Sequence, residues 1–311
     1  MLMIVGSGYM GFEYAKAARL LDIPFFVVSR SAPVHARQWN SLGVEPLVAP
    51  VQCTDTSGVA AAVVAVDITE SVAVSYRLIQ MNIPEILVEK PLSLSSVEAA
   101  ELLEYEESSS SHLHIGYNRR YFGSVQELSK IVESLRGPYH MHVDFSERIE
   151  RLDLGAYDPR VLDSWVISNS SHVLDLLLYL APTAELESTT TGGSLPWHTR
   201  ASWFEGQGSF GEGKFSYAAD WRKSGSWSVS VTHSDVQYDL SPLESLQRTQ
   251  LSTGECEVLV KRKDPLSVKL GITEQLNDFW HGKRDLVDLR TQVTHLRIFE
   301  AIGGYGGQTT S

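Results

Sequence analysis

The sequence predicts a two-part α/β protein. A doubly wound parallel sheet occupies residues 1–118. An α+β domain with a large, mostly antiparallel open sheet occupies 119–311. Three observations carry this prediction. The apolar run Leu2-Met3-Ile4-Val5 leads directly into Gly6-Ser7-Gly8-Tyr9-Met10-Gly11. Short apolar runs then alternate with helical segments as far as Gly116. Beyond Arg119 the pattern changes to period-two segments separated by Gly and Ser turns.

The elements follow in order. Leu2–Val5 is a strand, and Tyr9 to about Leu21 is the helix that the glycine turn opens. Pro24–Val28 is the second strand. Val34–Leu42 is a helix stopped by Gly43, and Leu47–Ala49 is a short strand. The Val-rich second half of the apolar run Ala60–Ile68 suits a parallel strand buried on both faces. Ser71–Met81 is a helix, Ile86–Val88 a strand, Ser95–Glu107 a helix and His112–Gly116 the closing strand, after a polar loop over 106–111. In the second part, Tyr121–Leu135 is amphipathic and stops at Gly137-Pro138, and Tyr139–Ile149 alternates as a strand. A helix carries His172. Strands are expected at Leu186–Thr190, Thr199–Phe204, Lys214–Trp221, Trp227–Thr232 and Val236–Leu240. Two closing helices around 276–280 and 296–302 can pack back on the first domain. The Gly-rich end, 303–311, reads as mobile.

Composition narrows the function classes. The net charge of −12 argues against a nucleic-acid partner. Two cysteines cannot form a disulfide framework and fit a reducing compartment. No apolar run approaches the roughly 20 residues needed to span a bilayer. The glycine turn starts at residue 6, too early for a secretory signal to precede it, so a cytoplasmic protein is expected.

The Gly-x-Gly-x-x-Gly turn between a strand and a helix is the arrangement that seats a dinucleotide pyrophosphate on a helix N-terminus. Gly6, Ser7, Gly8, Tyr9, Met10 and Gly11 are therefore candidate cofactor-binding residues. At the end of the second strand, an NAD-selective site carries an acid for the ribose 2′-hydroxyl. This chain has Ser29-Arg30-Ser31, which would attract a 2′-phosphate. NADP(H) is the favoured cofactor, with NAD(H) possible. Glu89-Lys90 follows the fifth strand, at the sheet end that faces ligand in this architecture. Lys90 can shuttle the proton that accompanies hydride transfer.

Glu89-Lys90-Pro91, read with the Gly6–Gly11 turn, resembles the Gfo/Idh/MocA family of glucose–fructose oxidoreductase, inositol dehydrogenase and their sugar-oxidising relatives. Further stretches resemble that family: Gly116–Tyr121, Ser171-His172-Val173-Leu174-Asp175 with its His-x-x-Asp pattern, Leu276–Trp280 and Leu296–Ile302. The resemblance implies a Rossmann first domain and NAD(P)-dependent oxidation or reduction of a sugar. It implies Lys90 and His172 flanking the reacting carbon, and a homodimer or homotetramer formed through the open face of the second sheet. Relatives often carry Asp and Gly where this chain has Ser168 and Ser170. Ser168 brings no charge to support an imidazolium, so His172 is expected either to relay a proton or to hold a substrate hydroxyl. Asp175 is a candidate to orient it, or equally a structural residue packing the helix start.

The substrate, a small sugar-like molecule, is expected to be walled by Tyr117, Asn118, Arg120, Arg148, Arg151, Tyr157, Trp165, Ser168 and His172, with Glu89 and Lys90 touching the cofactor. Arginines there would meet a carboxylate or phosphate. The pairs His112/His114 and His140/His142 lack further ligands in sequence, and no metal is expected. Two other readings remain: a non-catalytic dinucleotide-binding regulator of the same fold, and a reductase of imines or non-sugar carbonyls.

Overall fold

The computed structural model describes residues 1–33, 35–262, 267–282 and 285–305. In chain order the elements are β1 (Leu2–Val5), α1 (Tyr9–Leu20), β2 (Phe25–Ser29), α2 (Ala36–Ser41), β3 (Leu47–Val48), β4 (Ala61–Val64), α3 (Ile68–Gln80), β5 (Glu85–Glu89), α4 (Ser96–Glu107) and β6 (His112–Gly116). There follow α5 (Gly123–Ser134), β7 (His140–Asp144), α6 (Pro159–Asp163), α7 (Ser171–Leu180), β8 (Glu185–Gly192), β9 (Trp203–Phe210), β10 (Gly213–Asp220), β11 (Ser228–His233) and β12 (Val236–Leu240). The chain continues with β13 (Leu246–Gln250), β14 (Cys256–Val260), α8 (Ile272–His281), β15 (Val287–Asp288) and α9 (Leu289–Gly303).

The chain forms two compact units. The first comprises Met1–Asn118 and Pro265–Thr294, and the second Arg119–Asp264 and His295–Ser311. In the first, seven strands run in the order β15-β6-β5-β4-β1-β2-β3. All neighbours are parallel except β15, which pairs antiparallel with β6. β1 and β4 are buried end to end and β5 through Ile86–Val88, which is why these stretches are continuous apolar runs rather than alternating ones. Around 267–282 the chain returns to this unit. Ile272, Leu276 and Phe279 of α8 lie on one helical face and join Tyr14, Ala17 and Ala18 of α1 in one core. Each such side chain contributes about 2 kcal/mol on burial, so this helix belongs energetically to the first unit.

Two boundaries moved from the expected positions. The strand of the Ala60–Ile68 run is Ala61–Val64, in its first half, and α3 starts at Ile68 rather than Ser71. Asp67 is the reason: its carboxylate accepts the Thr69 N–H at 2.9 Å, a capping bond that ends the strand and starts the helix. Ser95 opens α4 as expected, accepting the Val97 N–H at 3.2 Å.

The second unit holds an eight-stranded sheet in the order β14-β13-β12-β11-β7-β10-β9-β8. It is antiparallel except for the β7–β10 pair. One face is apolar: Met141, Val143, Phe215, Tyr217, Val229 and Val231 are buried. The other face carries His140, His142, Ser216, Ser230 and Thr232, which are only partly buried or exposed. That contrast is the physical content of period-two alternation. The expected strand over Tyr139–Ile149 is shorter, ending at Asp144. The one expected over Thr199–Phe204 begins at Trp203 and runs on to Phe210. β13, β14 and β15 were not foreseen: β13 is polar along most of its length, β14 is mostly exposed, and β15 has two residues. The expected helix start at Val34 and most of the terminal stretch 303–311 lie outside the described residues. No described helix is long and apolar enough to cross a membrane.

Candidate functional site

The glycine turn has the shape its three glycines require. Gly6 has φ +116°, a region that L side chains rarely adopt, and a Cβ there would stand 2.3 Å from Ala65 O. A Cβ on Gly11 would stand 2.0 Å from Gly6 O, so only glycine lets α1 lie this close to the turn. Gly8 differs, because its Cβ would meet nothing within 4 Å. The space over Gly8 is open, at the N-terminus of α1. No acidic residue occupies the first turn of that helix and no side chain caps it. Such a terminus attracts an anion. The loop is held from behind by the Trp39 indole N–H, which donates to Ser7 O at 3.1 Å. Ser7 Oγ in turn donates to Ser29 Oγ at 2.8 Å.

This turn opens into a cavity of about 550 Å³ lined by Gly6, Ser7, Gly8, Ser29, Arg30 and Ser31, among others. Six of the residues read as cofactor-binding are thus brought together. Tyr9, Met10 and Gly11 continue from them as the first turn of α1. Arg77 also lines the cavity and had no signal in the sequence pattern. The cavity holds two acids, Asp67 and Glu70. Asp67 is committed to capping α3. Glu70 pairs with Arg30 at 3.2 Å, but the two side chains are 43% and 80% exposed. A pair that exposed is worth well under about 1 kcal/mol and yields readily to a stronger anion.

The two substitutions Gly8→Ala and Gly11→Ala separate binding from folding. Gly8→Ala is expected to cost less than about 1 kcal/mol of stability, from weaker N-capping alone, while filling the phosphate seat and abolishing dinucleotide binding. Gly11→Ala is expected to lose about 1–3 kcal/mol, because backbone must move. Thermal melting with and without a nicotinamide dinucleotide tests both. A Gly8→Ala protein stabilised by the dinucleotide as much as the native protein would refute the assignment of the seat.

Glu89 and Lys90 stand at the C-terminal end of β5. Glu89 is fixed by the Tyr14 hydroxyl, which donates to its Oε1 at 2.6 Å. Gln275 of α8 completes the tie. Its amide nitrogen donates to Tyr14 Oη at 2.7 Å, and its oxygen accepts the backbone N–H groups of Tyr117 and Asn118 at 3.2 and 3.1 Å. The turn after Lys90 is held by Gln292, whose Nε2 donates to Pro91 O at 2.8 Å and reaches Tyr117 Oη at 3.1 Å. The ends of β5 and β6 are therefore locked to each other by α1, α8 and α9. Asn118 Nδ2 donates to Leu270 O at 2.9 Å. Tyr117 and Asn118, expected on the substrate wall, are buried, and their side chains serve this scaffold.

In the second unit, His172 lies in the first turn of α7, behind a π-helical turn over Val166–Ser170. Such turns are frequent at functional sites because they re-aim one residue. His172 is largely buried, with its ring centroid 6.0 Å from that of Trp227. Ser168 Oγ donates to Val161 O at 2.9 Å. Asp175, a candidate to orient His172, is engaged by other groups. Both carboxylate oxygens of Asp175 accept from Arg120, at 2.8 and 2.7 Å, and His295 Nδ1 approaches at 3.7 Å. Arg120, expected on the substrate wall, is therefore committed to a buried ion pair.

The carboxylate beside this region is Glu147, which the sequence reading missed. Glu147 Oε1 accepts from Trp165 Nε1 at 3.0 Å, Asn169 Nδ2 at 3.0 Å and Ser170 Oγ at 3.1 Å. Burial pushes its pKa up, and hydrogen bonds from Trp165, Asn169, Ser170 and Trp227 oppose that rise. Trp165 is thereby a buried anchor for Glu147 rather than an exposed sugar platform. Tyr157 packs edge-on against it, with ring centroids 5.2 Å apart.

Next to Glu147 lies a second cavity, of about 480 Å³, lined by Arg119, Arg148, Arg151 and Arg262 together with Glu147, Asn169 and Trp227. Arg148 and Arg151, expected on the substrate wall, both line this cavity. Arg119 and Arg262 add to them, and neither was foreseen, since an arginine at a domain crossing or after a strand has no distinguishing local pattern. Among the described residues no cluster of three or more His, Cys, Asp or Glu side chains could hold a metal ion.

Residues 2–117 match the family described as "GFO_IDH_MocA: Oxidoreductase family, NAD-binding Rossmann fold". By sequence alone, no curated protein matches the chain. Solved structures share its fold over nearly its whole length. UDP-N-acetylglucosamine 3-dehydrogenase from Acidithiobacillus ferrooxidans is 17% identical with a TM-score of 0.73, covering 97% of this chain and 96% of its own. An oxidoreductase from Agrobacterium radiobacter, in complex with NAD+, L-tartaric acid and magnesium, is 13% identical with a TM-score of 0.78, covering 96% and 94%. Levoglucosan dehydrogenase, in complex with NADH and L-sorbose, is 13% identical with a TM-score of 0.74, covering 97% and 95%. At such identities the likeness is one of fold.

Proposed function

We propose, on the premise that residues 2–117 belong to the Gfo/Idh/MocA oxidoreductase family, that the protein moves a hydride between NADP(H) and a carbinol or carbonyl carbon of a sugar or sugar derivative. The observation that carries this reading is the open phosphate seat over Gly8 in the same parallel sheet whose fifth strand delivers Lys90 at its C-terminal end. In doubly wound sheets ligands bind at that end of the strands. The solved structures of this fold with sugar ligands or sugar-dehydrogenase names support the substrate class.

The bound nicotinamide supplies the hydride acceptor or donor. The work of the chain is to place it and to manage the proton. In the oxidising direction, the amine of Lys90 takes the hydroxyl proton as the carbinol carbon gives up its hydride. In the reducing direction, the ammonium returns that proton to the carbonyl oxygen. Glu89, fixed by Tyr14, sets the strand end from which Lys90 departs. His172 holds a substrate hydroxyl. We assign the open, polar face of the eight-stranded sheet to self-association.

NADP(H) is preferred because Arg30, Arg77, Ser29 and Ser31 line the cavity and no acid ends β2. Glu70 gives way when a 2′-phosphate offers Arg30 more charge. Replacing Arg30 by Asp is expected to weaken NADPH by roughly tenfold or more, a charge-assisted bond being worth about 1.5–3 kcal/mol, and to leave NADH nearly unchanged. Fluorescence titration with both cofactors measures this. An unaltered NADPH-to-NADH ratio would remove the basis for the preference. The function itself is tested by following the nicotinamide absorbance while screening sugars and keto-sugars. Tight cofactor binding without turnover on any of them would favour a non-catalytic regulator.

A further inference from the structure

The cavity of the second unit collects four arginines in a chain whose net charge is −12. Its carboxylates are Glu147 and Glu244. Glu147 is already engaged by three neutral donors. Glu150, between Arg148 and Arg151 in sequence, is fully exposed. Its pKa is lowered first by a hydrogen bond from Ser224, with the two arginines adding smaller contributions. The cavity is therefore a local island of positive charge.

Two features build this island. Arg148 caps a 3₁₀ turn over Ile149–Arg151, closed by the Arg151 N–H donating to Arg148 O at 2.9 Å. Residues three apart in such a turn lie one above the other, so both side chains serve one cavity. Arg119 stacks on Trp227, with its guanidinium carbon 4.9 Å from the ring centroid. Stacking fixes the plane of the guanidinium. Trp227 also packs against the His172 ring, so the positive cavity adjoins the histidine assigned to the substrate. Its volume is of the size that holds a small-molecule ligand.

We propose that this cavity binds an oxyanion group, a carboxylate or a phosphate, carried by the substrate. The substrate is then a sugar acid or a sugar phosphate, not a neutral sugar. Paired arginines recognise either group through parallel N–H···O bonds, and a cavity lined by one sign of charge raises the local concentration of such ligands. The inference rests on the oxidoreductase reading for the word substrate, but not for the cavity.

The experiment is calorimetric titration of the full chain, with and without saturating NADPH, using inorganic phosphate, D-glucuronate and D-glucose. An acidic probe is expected to bind at least roughly tenfold more tightly than glucose, and its affinity should fall as NaCl is raised. Preference for phosphate points to sugar phosphates, and preference for glucuronate points to sugar acids. Arg148→Gln with Arg151→Gln is expected to remove most of that advantage. Both side chains are exposed, so the fold should survive, and the single Arg151→Gln gives a milder version. Arg222→Gln, an exposed arginine paired with Asp220 outside the cavity, is expected to change nothing. The proposal is overturned if neither acidic probe outbinds glucose, or if the arginine variants keep the full affinity of the native protein. NADPH titration of the same samples reads the oxidoreductase assignment separately. Failure there, with acid binding intact, would leave the cavity assigned and the reaction not.

Discussion

Replacing Lys90 by methionine is expected to lower turnover by roughly 10²–10⁴-fold, the usual worth of a positioned proton donor or acceptor. NADPH affinity should stay within about twofold, because the proposed phosphate seat is at the Gly6–Gly11 turn and not at Lys90. Methionine keeps the length and apolar stem of the side chain and removes only the amine, so packing at the strand end is conserved. The scaffold around it is well determined. Tyr14 and Gln275 hold Glu89 and the exit of β6, and Gln292 holds Pro91 from the other side. A loss of activity can then be read as loss of chemistry. The measurement pairs steady-state absorbance with cofactor fluorescence. A methionine variant as fast as the native protein would exclude Lys90 from the proton path, and a loss of NADPH binding would mark Lys90 as a cofactor ligand only.

The largest effect on stability is expected at Asp175. Its side chain is 0% exposed and that of Arg120 9%, and two short bonds join them. Arg120 also lies over the Tyr179 ring, its guanidinium carbon 4.9 Å from the centroid. Asp175→Ala would leave this guanidinium buried without its counter-charge, at a cost of about 3–5 kcal/mol. Replacing both partners together, Arg120→Met with Asp175→Leu, is expected to restore much of the loss, since the penalty comes from the orphaned charge rather than from the missing pair. Urea unfolding of the three proteins measures it. If Asp175→Ala unfolds within about 1 kcal/mol of the native protein, the pair is not the buried fastening described here.

These expectations divide by how far apart in sequence the relevant groups lie. The turn at Gly6–Gly11 was legible because Gly6 and Gly11 answer to neighbours that a strand–turn–helix unit always supplies, while Gly8 faces open space. The alternation of strands and helices up to Gly116 was legible for the same local reason. Arg148 and Arg151 were legible as basic residues ahead of the His172 helix. Asp175 was not: its spacing within the helix allowed it to orient His172, and only the return of Arg120, 55 residues earlier in the chain, claims it as an ion-pair partner. Glu147 gave no signal, because one acid past a strand end is ordinary until Trp165, Asn169 and Ser170 converge on it. Tyr117 and Asn118 looked like wall residues at a crossing, and their burial depends on α8 and α9 arriving from the far end of the sequence.

The sequence by itself determined the strand–turn–helix with its three glycines, that the second strand ends without an acid, and that a lysine follows the fifth strand. Each is a rule of local geometry or of charge at a fixed offset. The tertiary structure decided which groups hold Glu147 and Asp175, which arginines face one cavity, and that α8 completes the core of the first unit. These depend on contacts between distant segments, where burial and pairing select among partners that are equivalent in the sequence.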